Sequence, residues 1–100
     1  MRIGKIVGTL VATRKDEHLV GCKLLLTQPV GADGKPFGQM LVAVDTVGAG
    51  IGELVVFAQG SPARMAARKM DAPIDAAVVA IIDNMDISGS LIAGDGFDKP

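Results

Sequence analysis

The sequence predicts a mainly β fold: an OB-like, five-stranded β-barrel with one short α-helix between strands 4 and 5. Three observations carry this. Runs of aliphatic and β-branched residues recur between turns rich in Gly, Pro and Asp. Only one stretch, just past residue 60, has apolar residues at the i, i+3, i+4, i+7 spacing of a helix. The chain has 100 residues, which makes one domain. An OB-like barrel normally carries its helix between strands three and four, so the order read here is a variant.

The first strand is expected within Ile3–Lys15. Ile3, Lys5, Val7, Thr9, Val11 and Thr13 alternate on one face, and Ile6, Leu10 and Ala12 lie on the other. Gly4 and Gly8 argue against a helix and for a bent strand. The polar stretch "KDEHLVG" reads as a connection. Cys22–Val30 is the second strand, stopped by Pro29. In the turn Gly31–Gly38, Asp33-Gly34 supplies the positive-φ residue of a tight reversal. Gln39–Val47 and Glu53–Gln59 are the third and fourth strands. The helix begins with Ser61 as N-cap and Pro62 at its first position. It continues through Ala63, Ala66, Ala67 and Met70, with Arg68 and Lys69 suiting its C-terminal dipole. With Arg64 at N3 there is no capping box. Pro73 precedes "AVVAII", a buried fifth strand, and "ISGSLI" is a further short strand. Residues 1–92 form the domain, and 93–100 are a Gly/Asp/Pro tail expected to be flexible.

Apolar residues make up 49 % of the chain, aromatics 3 %, and Tyr and Trp are absent. The core must therefore be aliphatic and small. So much apolar material in so short a chain fits a hydrophobic monomeric barrel or, the favoured reading, an oligomer whose interface completes the core. The net charge is −1, which gives no basic excess to neutralise phosphates, so nonspecific nucleic-acid binding is not expected. No apolar run approaches the roughly 20 residues that span a bilayer. The N-terminus lacks the apolar core of a signal peptide. The lone Cys22 has no disulfide partner in the chain, which fits a reducing cytoplasm, and packing as a small hydrophobe is its expected role.

The stretch "VDTVGAGIGELVVF" sets Gly48, Gly50 and Gly52 at alternate positions. A dinucleotide loop needs G-x-G-x-x-G ahead of a helix, and a P-loop needs Gly-Lys-Ser/Thr. Neither is present, and a strand follows instead of a helix N-terminus. The loop reads as a strand-to-strand turn. Positive φ accounts for one or two of the glycines. The third suggests small residues where several copies of the chain crowd together.

Other chemistry is sparse. His18 is the only histidine and is expected to be a solvated loop residue without a Cys or Asp partner at metal-ligand spacing. Asn84, Asp86, Ser88, Gly89 and Asp95 match a calcium loop poorly, lacking Asp at position 1 and Glu at position 12. No base stands in a motif with Ser61, Ser88 or Ser90. Asp45, Glu53, Asp71, Asp75 and Asp83 fall mostly at strand ends, where caps, turns and salt bridges are the usual roles; a buried carboxylate pair stays open. Arg64 and Arg68, at i and i+4, either grip an anion or form a solvated or interface-paired face. Phe37, Phe57 and Phe97 fall in a turn, a strand and the tail, which is no platform for stacked bases. No catalytic constellation, cofactor site or metal site is expected.

Taken together, the motifs resemble one family. "KIVGTLVATRKDEHLVGCKLLLTQPV" is similar to the opening of the bacterial microcompartment vertex proteins of the EutN/CcmL type. "VAVDTVGAGIGELV" resembles their V-A-V-D-x-V-G-A-G-x-G-E-W-V signature, "GSPAR" their G-S-x-A-R, and "IDAAVVAIID" their closing strand. The similarity spans residues 1–92, with the motifs in order. Departures are Leu54 in place of a frequent Trp, Pro62 within "GSPAR", Ala80 for a frequent Gly, and the longer tail. The resemblance implies a structural, non-enzymatic protein: a homopentamer that closes the five-fold vertices of a polyhedral shell otherwise tiled by hexameric shell proteins, within the cytoplasm. It implies that Val47, Gly48, Ala49, Gly50, Ile51 and Gly52 form the pore loop near the five-fold axis. Asp45, Glu53, Arg64, Asp75 and Asp83 are the expected interface or shape-fixing residues. The loop motif and acidic tail favour a metabolosome over a carboxysome. The rival classes are a small OB-like module binding an oligonucleotide or another ligand, and a hydrolase-like enzyme, against which the lack of a nucleophile–base constellation counts.

Overall fold

A computed structural model describes residues 1–87 and 90–93. Strands β1 (Arg2–Leu10), β2 (Leu24–Pro29), β3 (Leu41–Asp45), β4 (Leu54–Gln59) and β5 (Ala76–Ile81) close into a barrel. The order around the barrel is β1-β2-β3-β5-β4. Every pairing is antiparallel except β3 with β5, which is parallel and bridged across α1 (Ser61–Ala67). This is the expected five-stranded barrel with its helix between β4 and β5. A separate hairpin, β6 (Asn84–Ile87) and β7 (Ser90–Ala93), follows it.

Strand lengths follow from register. Leu10 pairs with Leu24, the first residue of β2, so β1 has no partner further on and ends there, short of the Lys15 boundary expected from composition. Pro29 lies at the last position of β2, where its missing N–H interrupts no ladder. Beyond it, Gly34 takes φ +80° and Asp33 Oδ1 accepts from the Lys35 amide at 3.0 Å, closing the predicted turn. "ISGSLI" is not one strand: Ile87 ends β6 and Ser90 opens β7. The tail 94–100 and residues 88 and 89 of the calcium-like spacing lie outside the described residues.

The helix corrects two expectations. Its N-cap is Gly60 rather than Ser61, because the Gly60 carbonyl accepts the first helical bonds, from the Ala63 and Arg64 amides at 3.0 and 3.4 Å, while Ser61 Oγ accepts from Arg64 Nη2 at 2.9 Å. It also stops at Ala67, short of Met70: Arg68 turns left-handed at φ +58°, and the Lys69 amide donates back to Arg64 O at 3.0 Å.

Two layers of apolar packing follow. Ile6, Leu25, Ala43, Val55, Phe57 and Val78 fill the barrel with no exposed surface. Val44, Ala58, Ala63, Ile74 and Ala77 pack between the barrel wall and α1. Phe57 is the largest fully buried side chain, and Gly4 makes room for it: a Cβ at Gly4 would come within 3.0 Å of Phe57 Cε1 and 2.8 Å of Thr27 Cγ2.

Candidate functional site

The loop between β3 and β4 is built around Asp45. Its carboxylate is 5 % exposed. Oδ1 accepts from three successive amides, those of Val47, Gly48 and Ala49, at 3.1, 3.1 and 3.2 Å. Lys23 spans the loop from β2's approach: its Nζ donates to Ala49 O at 2.9 Å and lies 3.9 Å from Asp45 Oδ2. Thr46 anchors the loop's start to β5, its Oγ1 donating to Val78 O at 2.7 Å. Glu53 closes the far end. Its Oε1 accepts from the Gly50 amide at 2.6 Å, and its own amide donates to Gly50 O at 3.1 Å. The Gly52 amide donates to Ile6 O and the Ile6 amide to Glu53 O, which stitches the loop to β1.

This arrangement decides what the loop can do chemically. Successive amides converging on one point form an anion-binding nest. Here the nest is filled by the chain's own carboxylate, so the amides of residues 47–49 are not free for a phosphate. Geometry as well as spacing therefore speaks against a nucleotide loop.

The three glycines separate. Gly48 and Gly52 have φ of +80° and +92°, a conformation that side chains rarely adopt. Gly50 does not. A Cβ there would meet only the flexible Glu53 Oε1, at 3.4 Å, so nothing within the chain requires glycine at this position. Ala49 points inward and is fully buried with Ile6, Val55 and Phe57 as a plug of the barrel end, a reason for its small size that lies within one chain. Val47 and Ile51 point outward, 40 % and 66 % exposed.

Of the other residues expected to act, Arg64 is engaged within its own chain. Nη1 donates to Ile74 O at 3.2 Å, tying α1 to the approach of β5. Asp75 follows immediately; its carbonyl accepts from the Gly60 amide at 2.8 Å, and its side chain is exposed. Asp83 is exposed one residue past Ile82, whose amide donates to Leu54 O at 2.8 Å. The fold therefore gathers Asp45 and Glu53 into one loop and sets Arg64 beside the Asp75 backbone at another. Lys23 was missed by sequence reading; the available signal was a single charge opening the apolar run "CKLLL".

His18, expected as a solvated loop residue, keeps 40 % of its side chain exposed and lies between two carboxylates. Its Nδ1 lies 2.9 Å from Asp16 Oδ1 and its Nε2 3.4 Å from Asp71 Oδ2, because folding brings the segment after α1 over the 17–19 turn. The His18 backbone amide, and then its ring, hold the Asp16 carboxyl below the usual carboxylate range. This contribution is present above the ordinary Asp pKa and is lost as pH falls through the lowered one. Among the described residues no group of three His, Cys, Asp or Glu side chains is arranged to hold a metal.

Comparison with known proteins gives a consistent picture. Residues 1–83 match the family model described as ethanolamine utilisation protein EutN/carboxysome. The carboxysome shell vertex protein CcmL of Synechocystis is 47 % identical, over 91 % of this chain and 92 % of its own length. The solved structure of CcmL from Nostoc superposes with a TM-score of 0.86 at 45 % identity, covering 94 % of this chain and 99 % of that one. The pentameric microcompartment shell protein GrpN from Rhodospirillum rubrum superposes at 0.77 with 45 % identity, covering 87 % and 98 %.

Proposed function

Because this chain belongs to the EutN/CcmL family of microcompartment shell vertex proteins, we propose that it assembles as a homopentamer that caps the five-fold vertices of a polyhedral shell in the bacterial cytoplasm. Its role is geometric and not enzymatic. Copies of one wedge-shaped chain, joined head to tail, close into a ring, and the ring supplies curvature that hexameric shell proteins, its neighbours in the shell, do not. The observation that carries this reading is the fold match to a pentameric shell protein at 45 % identity over nearly the whole chain.

In this reading the loop at Val47–Gly52 lies near the five-fold axis. Gly50 supports that placement, because it is the loop glycine with no cause inside the chain, and the exposed Val47 and Ile51 flank it. Asp45 and Glu53 act there by fixing loop shape. Arg64 holds the helix, and the exposed Asp75 and Asp83 are available to neighbouring chains. The expectation of a metabolosome rests on the loop motif and tail alone; relatives from a carboxysome and from another microcompartment match this chain almost equally, at 47 % and 46 % identity. The oligonucleotide-binding alternative loses its platform, since Phe57 is fully buried inside the barrel.

Native mass spectrometry at near-physiological salt tests the proposal. A dominant pentamer is the expected result, and a stable monomer at micromolar concentration would overturn it. Gly50→Val is expected to abolish the pentamer while leaving the far-UV circular dichroism of the barrel intact. A pentamer that survives this substitution would remove the axial placement of the loop.

A further inference from the structure

We infer that the outer face of β1–β2–β3 is the flank on which a neighbouring copy of the chain packs. The inference rests on the pentameric reading and goes further by assigning the surface. Register places two rows of residues across these strands, Gly8–Leu26–Val42 and Leu10–Leu24–Val44. Both lie on the outside of the barrel, since their strand neighbours Leu25 and Ala43 fill its interior. The outer face of a small antiparallel sheet is ordinarily polar. Here it is apolar in both rows, and only the next row outward, Lys5–Gln28, is polar.

Part of this face is covered within the chain: Val44 and Leu24 pack in the layer beneath α1. The rest is open. Val42 and Leu10 are 42 % and 41 % exposed, and Val11, just past β1, is 93 % exposed. A depression of about 170 Å³ between Leu10, Val11, Cys22 and Leu24 adjoins them.

Gly8 points to an occupant from outside the chain. It lies at a strand position, without positive φ, and a Cβ built on it would make only ordinary contact with Leu26, at 3.7 Å. Gly8 stands at the register shift between β1 and β2, which suits a bent strand, but neither its backbone angle nor a close contact within the chain excludes a side chain here. Its missing side chain leaves a notch over Leu26 in the middle of the exposed apolar face. The occupant is a second copy because a closed ring requires each chain to offer its neighbour a continuous flank, and a 45 % identical relative of the same fold is a pentamer.

The test compares native masses of the full-length wild type, Val42→Lys and Gly8→Val, with circular dichroism as the control for folding. Val42 is exposed on the strand, so a lysine there can reach water in a single chain but not under a neighbour. Gly8→Val fills the notch without adding charge and covers the case in which Val42→Lys fails to fold. The expected result is a wild-type pentamer and variants that keep the β spectrum but run as monomers. Folded variants that stay pentameric would overturn the assignment of this face and leave the pentamer standing. A monomeric wild type would overturn the pentamer itself, and the interface with it.

Discussion

Phe57→Ala is expected to lower the unfolding free energy by about 3–5 kcal/mol, the usual range for deleting a buried aromatic side chain. A domain of this size has only roughly 5–15 kcal/mol in total, so the loss is a large fraction of its stability. Phe57 is fully buried, and Tyr and Trp are absent from the chain. Its surroundings make the loss hard to recover. Ala43, Ala49 and Ala76 line the same core and have no rotamers with which to fill a void. Gly4 faces the ring with no side chain at all. A cavity should therefore persist, which places the cost toward the upper end of the range. The Arg2 guanidinium, 5.7 Å from the ring centroid, loses its cation–π contact as well. Urea unfolding at fixed protein concentration measures this, since an oligomer's apparent stability depends on concentration. Phe57→Leu keeps much of the volume and should cost less than about 1.5 kcal/mol. Equal losses in the two variants would mean that volume at this position is not what holds the barrel.

Much of this architecture was legible in the residues. Alternating aliphatic runs located all five barrel strands, and the single helical spacing located α1. Strand ends were not legible, because they depend on the partner: β1 stops at Leu10 only because β2 begins at Leu24. The helix start failed for a similar reason. Ser61 is a good capping residue, but the first helical bonds go to the Gly60 carbonyl, one residue earlier, and the Ser61 hydroxyl is bonded by the Arg64 guanidinium. The contact of His18 with Asp71 was not legible, because the fold brings these distant residues together.

The loop shows the same division more sharply. As a string, "VGAGIG" offers two causes, positive φ for one or two glycines and crowding between copies for the third, without saying which residue has which. In three dimensions the causes separate: backbone conformation at Gly48 and Gly52, barrel plugging at Ala49, and exposure at Val47 and Ile51. Gly50 alone is left without an internal reason. The sequence offered a carboxylate at a strand end, where capping is the ordinary role, but not that three amides would converge on it or that Lys23 would reach over from another strand.

Asp45→Ala should have the second large effect, about 2–4 kcal/mol of stability. A hydrogen bond to a charged group contributes about 1.5–3 kcal/mol, and Asp45 accepts three. The sum overstates the loss, because the amides of Val47 and Gly48 are exposed and regain water. The Ala49 amide is less able to, since Ala49 is fully buried. Asp45→Asn separates charge from shape. It keeps an oxygen for the amides and loses the attraction to Lys23, so about 1 kcal/mol is expected, in line with a neutral hydrogen-bond network. The functional readout differs from that of the Gly50 variant. Gly50→Val should remove the ring and spare the fold, whereas Asp45→Ala should release the loop in each chain, lowering the urea midpoint and the pentamer population together. Hydrogen exchange locates the damage: the amides of residues 47–49 should lose protection in Asp45→Ala and keep it in Gly50→Val. If Asp45→Ala left those amides protected and the urea midpoint unchanged, the carboxylate would not be what shapes the loop, and the proposed axis would have to be held by Lys23 and Glu53 instead.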